Sequence, residues 1–207
     1  MPLLPPAPLI VDCDGVLLDY LGGFARFVAE RTGFAPDPAG PDSYDMTSWV
    51  GARDKAETLS LVRAFNDPAQ PAFSSLAPIA GAAEGLRLAA LQGRKIHVLT
   101  SAGACPALAA ARRRNLVSRF GDIFASIDVI EVGACKRDRL AAMPRGIWVE
   151  DHHANAVAGL ETGHVSFLIR QRHNAAPEAT CSRAALRWVD GWAEIRQALE
   201  DSCGGGA

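Results

Sequence analysis

Residues 9–15, Leu-Ile-Val-Asp-Cys-Asp-Gly, constrain the fold more than any other stretch of this chain. Leu9, Ile10 and Val11 read as the end of a strand covered on both faces, and in open α/β sheets ligands bind just beyond the carboxyl ends of such strands. Asp12 and Asp14 then share one side of that end. Two carboxylates so close repel unless a hard cation or an electrophilic phosphorus engages them. Gly15 lets the chain turn sharply. The plain alternative is a strand followed by an Asx-type turn. A calcium-binding EF-hand loop fails, because Val16 and Gly23 stand where it needs an oxygen ligand and a glutamate.

Four further strand candidates follow, at 95–100, 127–131, 146–150 and 165–169, with helical patterns at about 80–92, 105–115, 136–142, 153–162 and 191–200. This alternation predicts an α/β fold, a doubly wound parallel five-stranded sheet. Pro106 suits the first turn of the second helix. The stretch between the first two strands carries amphipathic patterns (Phe24, Phe27, Val28; Leu59, Leu61, Val62, Phe65) around a Pro/Gly-rich middle at 36–41. It is expected to be a small helical cap over 21–75, inserted into a core formed by 1–20 and 76–207.

A chain of 207 residues can bury one α/β core with an insertion but is short for two enzyme domains. The net charge of −2 suggests no nucleic-acid surface, and the run Arg112-Arg113-Arg114 reads as a solvated helix face. Five cysteines (13, 105, 135, 181, 203) without C-x-x-C spacing suggest neither a disulfide framework nor zinc, which fits a reducing cytoplasm. The start MPLLPPAPLI lacks a basic n-region and carries four prolines, so it reads as neither a signal peptide nor a membrane span. The tail from Gly204 to Ala207 is expected to fray.

Polar residues recur at the other strand ends. Thr100 and Ser101 close the second strand, where hydroxyls and backbone N–H groups can hold phosphate oxygens, although such a pair also serves as a helix cap. Glu150 and Asp151 close the fourth, and one acid would suffice to cap the next helix. Lys136, one of three lysines, opens the helix before that strand. Beside several carboxylates it would balance charge and bind a phosphate oxygen.

These four elements in order, DCDGV at 12–16, VLTS at 98–101, Lys136 and VED at 149–151, resemble the haloacid dehalogenase-like phosphatase superfamily. The interval from Asp12 to Thr100 leaves room for a cap after the first strand, and the shorter one from Thr100 to Lys136 leaves little for a second. Within the superfamily the likeness is to the 5′(3′)-deoxyribonucleotidase group, carried by DCDGVLLDYLGGF at 12–24, PIAGAAEGL at 78–86 and the Thr-Ser pair. One departure is Glu150-Asp151, where that group has paired aspartates. Glu-Asp is also used by sugar-phosphate members.

The resemblance implies a phosphomonoester hydrolase in which Asp12 is the nucleophile and Asp14 the acid/base. Mg²⁺ would be held by Asp12, the Asp14 main-chain carbonyl, Asp151 and Glu150. Thr100, Ser101 and Lys136 would bind the transferring group, and Asn155, one helical turn past Asp151, would orient the acidic pair. In the cap, Tyr20, Phe24, Tyr44, Met46 and Trp49 offer aromatic and soft apolar surface, as a substrate pocket or as the cap's own core. His152 and His153 read as a helix start or pocket rim rather than a zinc site. The expected partner is a small phosphorylated metabolite, a nucleotide 5′-monophosphate or, alternatively, a sugar phosphate handled by a phosphatase or phosphomutase. The protein would be a monomer or homodimer in the cytoplasm. A non-catalytic phospho-acceptor module is the competing class, disfavoured because a receiver's acceptor ends a later strand. A P-loop kinase is excluded by the absence of G-x-x-x-x-G-K-[ST].

Overall fold

The computed structural model describes residues 6–103, 105–175 and 185–204. Six parallel strands form one sheet: β1 (Leu9–Val11), β2 (Ile96–Ser101), β3 (Phe124–Ile130), β4 (Ile147–Glu150), β5 (Val165–Ile169) and β6 (Arg187–Val189), in the order β3-β2-β1-β4-β5-β6. The expected five-stranded sheet therefore gains a sixth strand. Three residues, Arg187-Trp188-Val189, are too few to display an alternation, and β6 exists because β5 offers them a partner edge. Residues 1–5, Cys181 and the tail beyond Gly204 lie outside the described residues, so the expectations for the chain start and for fraying fall partly there.

The helices are α1 (Tyr20–Thr32), α2 (Lys55–Phe65), α3 (Pro71–Ser74), α4 (Ala82–Leu91), α5 (Pro106–Phe120), α6 (Arg137–Ala142), α7 (His153–Glu161) and α8 (Trp192–Gly204). The first four lie between β1 and β2, consistent with an insertion after the first strand. Asp19 caps α1 by accepting from the Gly22 amide, and Asp54 caps α2 from Glu57. Strand alternation splits β1 between two apolar layers. Leu9 and Val11 join the main core with α1, α4, α5 and α8, while Ile10 packs with Leu99, Leu140, Trp148 and Ala158 on the α6–α7 side. Gly85 allows α8 to close on α4, since a Cβ there would stand 2.2 Å from the Trp192 ring. Trp192 Nε1 in turn donates to Val16 O at 2.8 Å, tying α8 beneath the loop that follows β1.

No helix among the described residues is long and apolar enough to cross a membrane. The sheet order reverses between β1 and β4. At that switch point the two strands diverge to their neighbours and leave a crevice beyond their carboxyl ends.

Candidate active site

The crevice brings together residues from four separate parts of the chain. Asp12 continues β1, its amide donating to Val149 O of β4 at 2.9 Å, so the two acidic strand ends are held side by side. Lys136, at the start of α6, reaches across with Nζ 2.6 Å from Asp12 Oδ1 and 3.0 Å from Glu150 Oε2. Glu150 takes further bonds besides that of Lys136: its Oε1 accepts from Asn155 Nδ2 at 3.0 Å and from the His152 amide at 3.3 Å. Asn155 therefore orients Glu150 of the acidic pair.

Burial shapes the electrostatics. Lys136 would lose its proton more readily through burial alone, but the facing Asp12 and Glu150 carboxylates override this and raise its pKa. Burial raises Asp12, with Lys136 opposing and Asp151 reinforcing. Glu150 is raised chiefly by burial and next by Asp12. Asp14 is pushed up to about 6 by burial, with Arg112 opposing and the Asp12 and Asp151 charges adding to it. Cys13, between the two aspartates, packs into the core, and burial keeps its thiol protonated. The Asp12, Glu150 and Asp151 carboxylates each have an oxygen within 4.8 Å of the others, a hard-donor set that suits a divalent cation.

Above this floor lies a cavity of about 250 Å³. Thr100 and Ser101 from β2 line one side with the acids and Lys136, and Tyr20, Leu21, Pro41, Tyr44 and Met46 line the other. The carboxylate-rich floor can position an electrophile, neutralise charge through a cation and exchange protons.

No protein-family model matches the sequence, and no curated protein does. Solved structures match over nearly the whole chain. Protein Tyrosine Kinase A from Mycobacterium tuberculosis has a TM-score of 0.68 at 19% identity, covering 94% of this chain and 98% of that one. A HAD-superfamily hydrolase from Ehrlichia chaffeensis has a TM-score of 0.60 at 14% identity, covering 97% and 99%. A HAD family hydrolase from Deinococcus radiodurans, with bound phosphate and sodium, has a TM-score of 0.55 at 18% identity, covering 96% and 97%. The chain has the haloacid dehalogenase-like fold. Since one of these structures is named a kinase and two are named hydrolases, the fold does not select the reaction, and the site must.

The cap residues anticipated as a pocket divide. Tyr20, Tyr44 and Met46 line the cavity, although the Tyr20 ring also packs on Phe24 and Phe65 and its hydroxyl donates to Asn66 Oδ1 at 3.0 Å. Trp49 lies elsewhere. It is 8% exposed, packs against Phe24 of α1 and donates from Nε1 to Asp37 O at 2.8 Å, as part of the main apolar cluster. The polar-aromatic alternation of 42–49 belongs to bends and turns rather than a helix. His152 is on the cavity rim, and His153 opens α7.

Two parts of the site have no counterpart in the sequence reading. The first is the segment after β5: Asn174 Nδ2 donates to Asp151 O at 2.7 Å, His173 Nε2 lies 3.6 Å from Asp151 Oδ2, and the ring centroids of His173 and Tyr44 are 4.9 Å apart. Its signal was available, because any loop at the carboxyl end of a strand neighbouring β4 must face the crevice. The second is Arg112. Arg113 and Arg114 are exposed as expected, but Arg112 is buried, a correction to the reading of the run as a solvated face. A helix of 15 residues shows the core one residue in three or four, and nothing in three consecutive arginines says which one turns inward.

Proposed function

We propose that this protein is a divalent-cation-dependent phosphomonoester hydrolase acting through an aspartyl-phosphate on Asp12. The observation that carries the reading is the pair Asp12 and Asp14 in one cavity, the first 2.6 Å from the buried Lys136 ammonium and the second able to hold a proton near neutrality. In the first step an Asp12 carboxylate oxygen bonds to phosphorus as the ester P–O bond breaks, and Asp14 gives its proton to the departing oxygen. Water then attacks phosphorus, passing a proton to Asp14. Phosphate leaves and Asp12 is restored. Thr100, Ser101 and Lys136 bind the oxygens of the transferring group. Mg²⁺ is the cation the donor set fits; Asp12 and Asp151 with the Asp14 main-chain carbonyl would hold it, with Glu150, already shared by Lys136 and Asn155, beside them. When bound, it neutralises charge on the phosphoryl group.

As substrate class we propose nucleoside 5′-monophosphates. The likeness of 12–24 and 78–86 to deoxyribonucleotidases supports this, as do the aromatic and apolar faces of Tyr20, Tyr44 and Met46. Glu150-Asp151 favours sugar phosphates as the second reading. The test is phosphate release from a panel of nucleoside and sugar monophosphates with Mg²⁺ or excess chelator. Preference for nucleotides with Mg²⁺ supports the proposal. Hydrolysis unaffected by chelator, or no hydrolysis of any ester by the folded protein, rejects it.

A further inference from the structure

Arg112 is fully buried, yet only part of its hydrogen-bonding capacity is used. Nη2 donates to Asp14 Oδ2 at 2.8 Å, and Cζ lies 4.2 Å from the centroid of the Phe73 ring in α3. Among the described residues, Nε and Nη1 have no hydrogen-bond partner, and neither has Asp14 Oδ1. Removing a guanidinium from water is costly, and a pair optimised for stability would close a two-bond fork between guanidinium and carboxylate. An apolar side chain would fill the space against Phe73 without that cost. The incomplete pair makes sense if the position of Asp14, rather than stability, is what Arg112 secures.

Arg112 also belongs to a stripe. Arg112, Asn115 and Arg119 recur at three and then four residues on one face of α5. Asn115 Nδ2 donates to Leu76 O at 3.3 Å, while Arg119 donates from Nε to Leu76 O at 2.9 Å and from Nη2 to Ser75 O at 2.6 Å. Together with the Phe73 contact, the stripe grips the segment 73–76, which carries the chain back from the inserted helices to the core. Its first member alone reaches the catalytic loop.

We infer that Arg112 is a positioning residue: it fixes the Asp14 carboxyl for proton delivery and ties that position to the seating of segment 73–76 on α5. The inference rests on the phosphatase reading. Its test uses the dependence of proton delivery on the leaving group, since an alkyl alkoxide needs a proton as it departs and nitrophenolate hardly does. Because kcat/KM reads the steps up to leaving-group departure, the two esters are compared on that parameter, in the full chain with Mg²⁺. Arg112→Gln should lower kcat/KM for a nucleoside 5′-monophosphate by about tenfold or more, and for p-nitrophenyl phosphate by less than about threefold. Arg112→Lys, which keeps a cation for Asp14, should recover part of the loss. In an Asp14→Asn background, Arg112→Gln should change neither ester further. Equal losses on both esters, or the same loss in the Asp14→Asn background, would show that Arg112 is structural and overturn the inference with the phosphatase reading intact. If the Arg112 variants do not fold, Phe73→Leu keeps the question open to measurement. It should produce a smaller loss with the same leaving-group dependence, and a loss without that dependence counts against the proposal. A wild-type protein that hydrolyses neither ester ends both readings.

Discussion

The floor of the cavity carries five charged side chains, Asp12, Asp14, Lys136, Glu150 and Asp151, whereas the opposite wall of Tyr20, Leu21, Pro41, Tyr44 and Met46 carries none. They are also held by different means. On the floor Lys136 is clamped between Asp12 and Glu150, and Asn155 and Arg112 fix the carboxylates from behind. The wall hangs on a few contacts: the Tyr44 hydroxyl accepts from the His153 amide at 2.9 Å, its ring lies 4.1 Å from His152, and Arg172 pairs with Asp37 and Asp42. Charge in a desolvated place must be neutralised where it stands, so the floor is assembled before any ligand arrives. An apolar wall needs only shape. Under the proposed function, the difference predicts that reaction chemistry and substrate choice can be altered separately, and each variant below sets one region against the other.

The largest expected effect is on the floor. Asp12→Asn should lower phosphatase turnover by about a thousandfold or more while circular dichroism and thermal unfolding stay near wild type, because it removes the proposed nucleophile and relieves repulsion among acids. Substantial activity in the folded variant would mean that another group attacks.

Lys136→Met should cost activity and stability together. Leaving Asp12 and Glu150 facing each other without their shared cation should destabilise the fold by about 3 kcal/mol in denaturant unfolding and reduce turnover by about a hundredfold. An unchanged melting temperature would show that the floor is not held by this cation.

Within the floor, Asp151→Ala should raise the Mg²⁺ concentration for half-maximal activity more than Glu150→Ala, since Glu150 already takes bonds from Lys136, Asn155 and the His152 amide. Magnesium titrations of the two variants that rank the other way would assign the ligands differently.

The wall should give the smallest and most selective effects on catalysis. Trp49→Ala, emptying a buried site beside Phe24, should lower stability by about 3 kcal/mol and reduce all substrates alike. Tyr44→Phe keeps the ring and loses the hydroxyl, which accepts from the His153 amide and donates to Asp151 O at 3.4 Å, so it should cost about 1 kcal/mol and raise KM a few-fold for the best substrate. If Trp49→Ala instead discriminated between a nucleotide and a small ester, Trp49 would belong functionally to the wall from which its packing separates it.

Much of this architecture is legible in local sequence. The apolar residues before Asp12, Thr100 and Glu150 mark strands whose ends must coincide in a parallel sheet, and the helices between them follow from periodicity and from first-turn residues such as Pro106. Strand identity and the presence of acids, hydroxyls and one lysine at strand ends are written in short stretches, because strand and helix formation respond to neighbours within a few residues. What those stretches do not contain is direction across the fold. Arg112 turns inward while Arg113 and Arg114 do not, Trp49 packs into the apolar core beside Phe24 while Tyr44, five residues earlier, faces the cavity, and β6 forms only beside β5. Each depends on a partner far away in the chain: Asp14 is 98 residues from Arg112, and His153 is 109 from Tyr44. A side chain's burial and partner are set by which distant surface packs against its element, so the sequence by itself determined the acids, hydroxyls and lysine at the strand ends, and tertiary packing decided which residues support them and which line the wall above.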